Sequence, residues 1–238
     1  MAKMVGFACS IRLQWLNMAA QLTKENLTEA EFKERVNEYL SFEIESPTRL
    51  RKTREILMNI WYYESEEMNS VRKEAISLID KYPEYSSIIH LCMIYLVYPV
   101  VADICRFIGR ISEFQNEITN ATLKQKLYDA WGERGTLETT SRRVTLTLKE
   151  LDLLRAETKT RYVINKIKVP HENVVNFLLS LAMKIENDGY YTMSQLKDFS
   201  ILFPVEMNIS REQLMADERF AINNFGGEMS VSLKEERA

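Results

Sequence analysis

The sequence is poor in residues that break or staple a fold. Only 7 Gly and 5 Pro occur in 238 residues, and this scarcity of breakers favours long helices over many-turned sheets. The three cysteines, Cys9, Cys92 and Cys105, are odd in number and scattered. They do not make a disulfide framework, and the expected setting is reducing and cytoplasmic. No CxxC pair is present, so no structural metal site is expected. The N-terminus lacks the long apolar core of a signal peptide. The longest apolar run, residues 88–102, contains His90 and Pro99 and ends at Asp103. It is shorter than the about 20 residues a membrane helix needs, so it reads as a buried helix, kinked or broken at Pro99.

Signs of chemistry are also few. There is no phosphate-loop GxxxxGK[ST], no GxSxG elbow and no HExxH. An enzyme needs a positioned acid, base, nucleophile or metal. Of the two histidines, His90 sits in the apolar run and reads as a buried, hydrogen-bonded residue. His171 follows Pro170 at a helix start. Glu66 and Glu67 are adjacent but lack a partner base, so they read as surface. Trp15, Trp61 and Trp131 fall on apolar helical faces and read as core rather than stacking platforms. The expectation is a non-enzymatic protein with no cofactor and no small-molecule substrate.

The sequence is otherwise ordinary for a packed protein, with 46% hydrophobic and 27% charged residues. Thr28 with Glu31 is a capping-box pattern that opens a helix to about Phe42, with Phe32, Val36, Tyr39 and Leu40 on one face. Ser46 as N-cap and Pro47 at the first helical position open another, with Ile56, Leu57, Ile60 and Trp61 inward. A further helix runs from Val71 to Tyr82 and stops at Pro83. Residues 171–188 read as a strong helix ending near Gly189. Thr192 with Gln195, and Ser210 with Gln213, open two short ones. The run around Gly226–Gly227 signals a hairpin.

Charge is uneven. Between Arg134 and Lys168 nine basic residues face four acids, a local +5 in a chain of net −3, which leaves −8 for the remainder. A basic island in an acidic protein is a directed patch, or else a solvated helix face. A second basic cluster, Arg49, Arg51, Lys52 and Arg54, crowds the first two turns of its helix, where cations meet the positive end of the dipole. A phosphate or acidic partner would relieve that repulsion, and so would solvent.

The same island carries a pattern. A helix at about 121–134 is followed by the turn GERG, with Gly135 as its C-terminal cap. Thr136 can cap a second helix at about 137–151, which places Val144, Leu148 and Leu151 on a core arc. Arg142, Thr145 and Lys149 lie on the adjoining polar arc, and Arg143 elsewhere on the helix. The strand LLRA, the turn ETKT and the strand RYVINKIKV then form a wing that presents Lys159 and Arg161. Helix, tight turn, helix and hairpin make a winged helix-turn-helix. Arginine, threonine and lysine suit base edges, and the wing suits phosphates. The fold expected is therefore mainly α, a multi-helix protein with a central winged helix-turn-helix module and short β-hairpins. The expected division is a helical N-terminal domain at 1–115 and the module with C-terminal helices and hairpin at 116–238.

The strings YPVVADICRFIGR and WGERGTLETTSRRVTLTLKELDLL resemble small helical proteins of bacterial phage-defence islands. The nearest resemblance is to the small helical DNA-binding component of bacteriophage-exclusion (BREX) systems. Members of that group are similar in part of their fold to helical RNA-binding antitermination factors. The resemblance covers the middle third of the chain. It implies DNA binding in an antiviral defence locus, with other defence proteins as partners and no catalysis by this subunit. The partner expected is double-stranded DNA, held by Arg142, Arg143, Thr145, Lys149, Lys159 and Arg161, with Arg49, Arg51, Lys52 and Arg54 on phosphates. The alternative is an assembly protein whose winged module binds another protein, since a fold does not fix a function.

Overall fold

In the computed structural model, residues 6–63, 66–115, 117–225 and 228–234 are described. The chain is mainly helical, with three small sheets among the described residues. The first six helices are α1 (Leu13–Leu22), α2 (Glu29–Ser41), α3 (Pro47–Trp61), α4 (Glu66–Lys81), α5 (Ser86–Val97) and α6 (Pro99–Ser112). Strand β1 (Ile118–Thr119) follows, then α7 (Asn120–Trp131), α8 (Gly135–Glu150), β2 (Leu154–Ala156), β3 (Arg161–Ile164) and β4 (Ile167–Val169). The last part holds α9 (Glu172–Glu186), β5 (Tyr191–Thr192), α10 (Met193–Lys197), β6 (Val205–Met207), α11 (Arg211–Ala216), β7 (Phe220–Phe225) and β8 (Glu228–Leu233).

Local chemistry sets most helix starts. Thr28 caps α2 by accepting from the Glu31 amide, and the Thr28 amide donates back to the Glu31 carboxylate at 2.8 Å. Reciprocal boxes open α10 at Thr192 and Gln195, and α11 at Ser210 and Gln213. Ser46 and Pro47 open α3 as the sequence predicts. Ends are less legible. Helix α9 stops at Asn187, which takes the left-handed conformation at φ 54° two residues before Gly189. Its short polar side chain tolerates that region better than most. On α2, Phe32, Val36 and Leu40 are buried while Tyr39 is 37% exposed, so the inward face is narrower than predicted. The Glu66 and Glu67 side chains, and the Gly226–Gly227 turn, lie outside the described residues.

Helix α5 is apolar all round, and the structure buries every residue from Ile88 to Tyr95. It is ringed by α1, α3, α4, α6 and α9, as a helix with no polar face requires. Pro99 begins α6, and Tyr98 breaks from helical geometry before it. The apolar run is thus two packed helices. Among the described residues no helix is long and apolar enough to cross a membrane.

His90 lies in the middle of this core. Its Nε2 stands 2.8 Å from Asn17 Oδ1, an oxygen that only accepts, so Nε2 carries the proton. Burial holds the ring neutral by lowering its pKa to about 3.

The C-terminal part docks on the same core. The 3-10 turn Ser200–Leu202 lies across α6, and Tyr95 donates its hydroxyl to the Ile201 carbonyl at 3.0 Å. Gly109 permits the approach: a Cβ there would meet the Ser200 carbonyl oxygen at 2.0 Å. The tail hairpin pairs Phe220 with Leu233 and Ile222 with Val231. Strand β5 joins it through Tyr191 and Val231, so β8 is central. Strands β4 and β6 pair in parallel. Buried residues from both ends of the chain form one continuous core.

Two measurements check this packing. Gly109→Ala is expected to lower unfolding free energy by about 1–3 kcal/mol in urea melts, since backbone cannot swing aside as an overpacked side chain can. Gly135→Ala, whose added methyl meets nothing within 4 Å, is expected to be neutral or slightly stabilising. Below pH 6.5 the unfolded chain protonates His90, while the folded chain resists until about pH 3. The native state therefore loses stability as pH falls through that window. The stability gap between the wild type and His90→Gln should narrow between pH 7.5 and 4.5; a gap independent of pH would refute the assignment.

Candidate nucleic-acid interface

The basic island folds as α8, the β2–β3 hairpin and β4, and it packs against α6, β1 and α7. Strand β3 lies between β1 and β2, antiparallel to both, with Ile118 opposite Tyr162 and Leu154 opposite Ile164. Helices α6, α7 and α8 contact one another pairwise. Leu123 and Leu127 of α7, with Leu137, Val144 and Leu148 of α8, are fully buried between them. Trp131 is only half-buried, and its Nε1 donates to Asp103 of α6 at 2.8 Å. Asp103 also accepts from Arg106, whose Nε reaches Glu186 of α9 at 2.9 Å. This network ties α6 to α7 and to α9.

The turn differs from the sequence reading. Helix α7 ends at Trp131, and its cap is Gly132 at φ 74°, a conformation glycine adopts without cost. Gly135 instead opens α8 as its first residue, so Thr136 does not cap it. Arg134 stands at the N-cap position without a side-chain bond. The sequence reading took the later of two glycines three apart, whereas the Gly132 amide bonds the Tyr128 carbonyl and closes the helix earlier.

The second strand is also shorter than predicted. Asn165 interrupts RYVINKIKV: its amide bonds the Leu153 carbonyl and its side chain bonds the Asp152 carbonyl at 2.8 Å. Beyond it, β4 leaves the hairpin to pair with β6. Lys166 Nζ donates to the Phe203 carbonyl at 3.1 Å and is turned away from the hairpin.

The outward strip of α8 carries Glu138, Arg142, Leu146 and Lys149. Glu138 is paired with Lys124 of α7 at 2.7 Å. Arg142 and Lys149 are exposed and have no ion-pair partner among the described residues. Leu146 lies between them, 40% exposed. Thr145 is buried instead, with its hydroxyl donating to the Ser141 carbonyl at 2.9 Å. The sequence reading put it outward, but it turns inward beside Val144 and cannot reach a groove. Leu153 is buried where the chain leaves the helix.

Lys159 is exposed in the turn between β2 and β3. Arg161 is exposed on β3 and pairs with Glu117 at 3.1 Å, and Arg155 stands 3.8 Å from Glu157. Exposed pairs of this kind contribute about 0–1 kcal/mol, so they exchange readily for another anion.

The structure also brings the second basic cluster to α8. The segment preceding α1 lies along this helix: the Ile11 amide donates to Thr147 Oγ1 at 3.0 Å, and Arg143 reaches the Phe7 carbonyl at 3.5 Å. Arg12 stands 3.7 Å from Glu150. Between this segment, α3 and α8 lies a cleft of about 360 Å³ lined by Arg49, Lys52, Arg142 and Arg143. Of the other predicted cations, Arg51 faces the groove between α2 and α3. Arg54 is bound to Glu55 at 2.7 Å and to Asn37 at 3.2 Å, which holds its guanidinium against α2 and away from the cleft. No local signal marks residues 7–12 as bordering the island, since the contact closes a loop of 136 residues.

Compared with known protein families, curated proteins and solved structures, the chain shows no significant match.

Proposed function

We propose that residues 99–164 form a winged helix-turn-helix module and that the protein is a non-enzymatic binder of double-stranded DNA. The element order supports the module: helix, short strand, two helices, hairpin, with the strand after the second helix at the sheet edge and its partner in the centre. The observation that carries the DNA reading is the exposure of Arg142 and Lys149 on one strip of α8, without ion-pair partners among the described residues, beside a hairpin turn carrying Lys159. Arg142 and Lys149 are seven positions apart, two helical turns or about 10 Å, a spacing that fits along a groove. Arg155, Lys159 and Arg161 extend the positive surface onto the wing. Contacts from these three to phosphates would position the helix without reading sequence. A place in a phage-defence system rests on the resemblance of residues 98–110 and 131–154 alone.

A second reading is favoured by one residue. Leu146 stands exposed between the two cations, and an apolar side chain there suits a protein partner as well as a thymine methyl. The two readings separate by salt. Duplex binding in a mobility-shift titration should weaken steeply as salt rises. Arg142→Ala with Lys149→Ala is expected to reduce affinity about tenfold or more. Removing Lys159 is expected to weaken all duplex sequences alike and to lower the salt slope by about 1. A chain that binds no duplex even at low salt is not a DNA-binding protein, and the assembly reading then stands.

A further inference from the structure

We infer that the cleft between α3 and α8 is a seat for a phosphate group, built jointly by the two basic clusters. This inference rests on the DNA reading only for the source of that phosphate. Four cations line the cleft, Arg49 and Lys52 from α3 and Arg142 and Arg143 from α8, and no carboxylate is among the described residues lining it. The two pairs lie about 90 residues apart in sequence, so the convergence is a product of the fold. Ser10 and Thr48 also line the cleft. Their hydroxyls can donate to an oxyanion.

The cations make the seat, not the end of α3. Ser46 already accepts from the Arg49 amide, and Pro47 has no amide hydrogen. Like charges gathered in one cleft repel, and the repulsion is strongest where solvent is thinnest. The chain holds them there because the backbone around them is anchored elsewhere. The Ile11 amide is fixed on Thr147, and α3 is held by Ile56, Leu57, Ile60 and Trp61 in the core. Arg142 and Lys52 make no ion pair among the described residues. An anion with several oxygens satisfies all four at once, and arginine forks match phosphate geometry. The group is either an internal phosphodiester of a duplex or a phosphomonoester, terminal or free. Bound there, it would link α3 to α8 and fix the angle at which the helix strip meets its target.

The test compares neighbours on one helix. Lys52 lines the cleft, whereas Arg51 beside it faces the groove against α2. Wild type, Arg49→Gln with Lys52→Gln, and Arg51→Gln are melted in inorganic phosphate and in chloride at equal ionic strength. At about ten times its dissociation constant, phosphate should raise the wild-type midpoint by about 3 °C. The shift should persist in Arg51→Gln and vanish in the double variant. The same proteins are then titrated with a closed circular duplex, and with one linear duplex bearing either a 5′-phosphate or a 5′-hydroxyl. An internal phosphodiester in the seat predicts weaker binding of the double variant to the circle, with a salt slope lower by about 1. A terminal phosphate predicts a preference for the phosphorylated end that the double variant loses.

A phosphate-specific shift without any duplex binding supports the seat and overturns the DNA reading. Duplex binding that is equal in wild type and double variant, with no phosphate-specific shift, overturns the seat and leaves the DNA reading standing. Equal effects from Arg51→Gln and the double variant also overturn the seat, because they would mean diffuse attraction.

Discussion

The burial of α5 is the constraint on which the rest of the molecule depends. Eight consecutive residues of this helix, from Ile88 to Tyr95, are shielded from solvent. Each large apolar side chain so buried contributes about 1.5–3 kcal/mol, but only if every face finds a neighbour. Helices from both ends of the chain supply those neighbours, α1, α3 and α4 from one side and α9 from the other. The polar groups it carries are accommodated rather than avoided: His90 stays neutral against Asn17, and Tyr95 finds the Ile201 carbonyl. Wrapping α5 fixes α6, and α6 in turn carries α7, α8 and the turn that lies on Gly109.

This arrangement explains how a chain of net negative charge presents a positive surface. The basic residues of α8 stand on the face left over once Val144, Leu148 and Leu151 are buried. Those of α3 stand on the solvent side of a helix whose other face meets α5. The N-terminal segment, pinned to α8 through Ile11 and Thr147, brings the two faces to one cleft. Three acids of the same or neighbouring elements are already paired: Glu138 with Lys124, Glu43 with Arg12, and Glu55 with Arg54.

Much of the local structure was legible in the sequence. The capping residues Thr28, Ser46, Thr192 and Ser210 act on amides three residues away, so the signal is local. The break at Pro99 is equally local. Legibility failed where two local solutions were equivalent. Gly132 and Gly135 each suit a helix end, and Asn187 competes with Gly189. It failed also where the helical angle alone was used to place a side chain. Thr145 lies near the boundary of the polar arc, and its neighbours, not its angle, turn it inward. The segment RYVINKIKV is rich in β-branched and aromatic residues, yet it divides at Asn165, and β4 beyond it pairs with β6 far along the chain.

The amino-acid order by itself determined the helical character, most helix starts, the buried run and the hairpin after Leu153. Each of these rests on propensity, capping or hydrophobic period within a window of a few residues. The tertiary structure alone decided that Arg49 and Lys52 meet Arg142 and Arg143, that Arg54 and Thr145 are withdrawn, and that β4 and β5 find β6 and β8. Arg54 and Thr145 are held by bonds to Glu55, Asn37 and Ser141, while the joining of the clusters and the strand pairings depend on contacts between segments tens to more than a hundred residues apart. They are fixed by which apolar surfaces must cover α5, a condition that no local window contains.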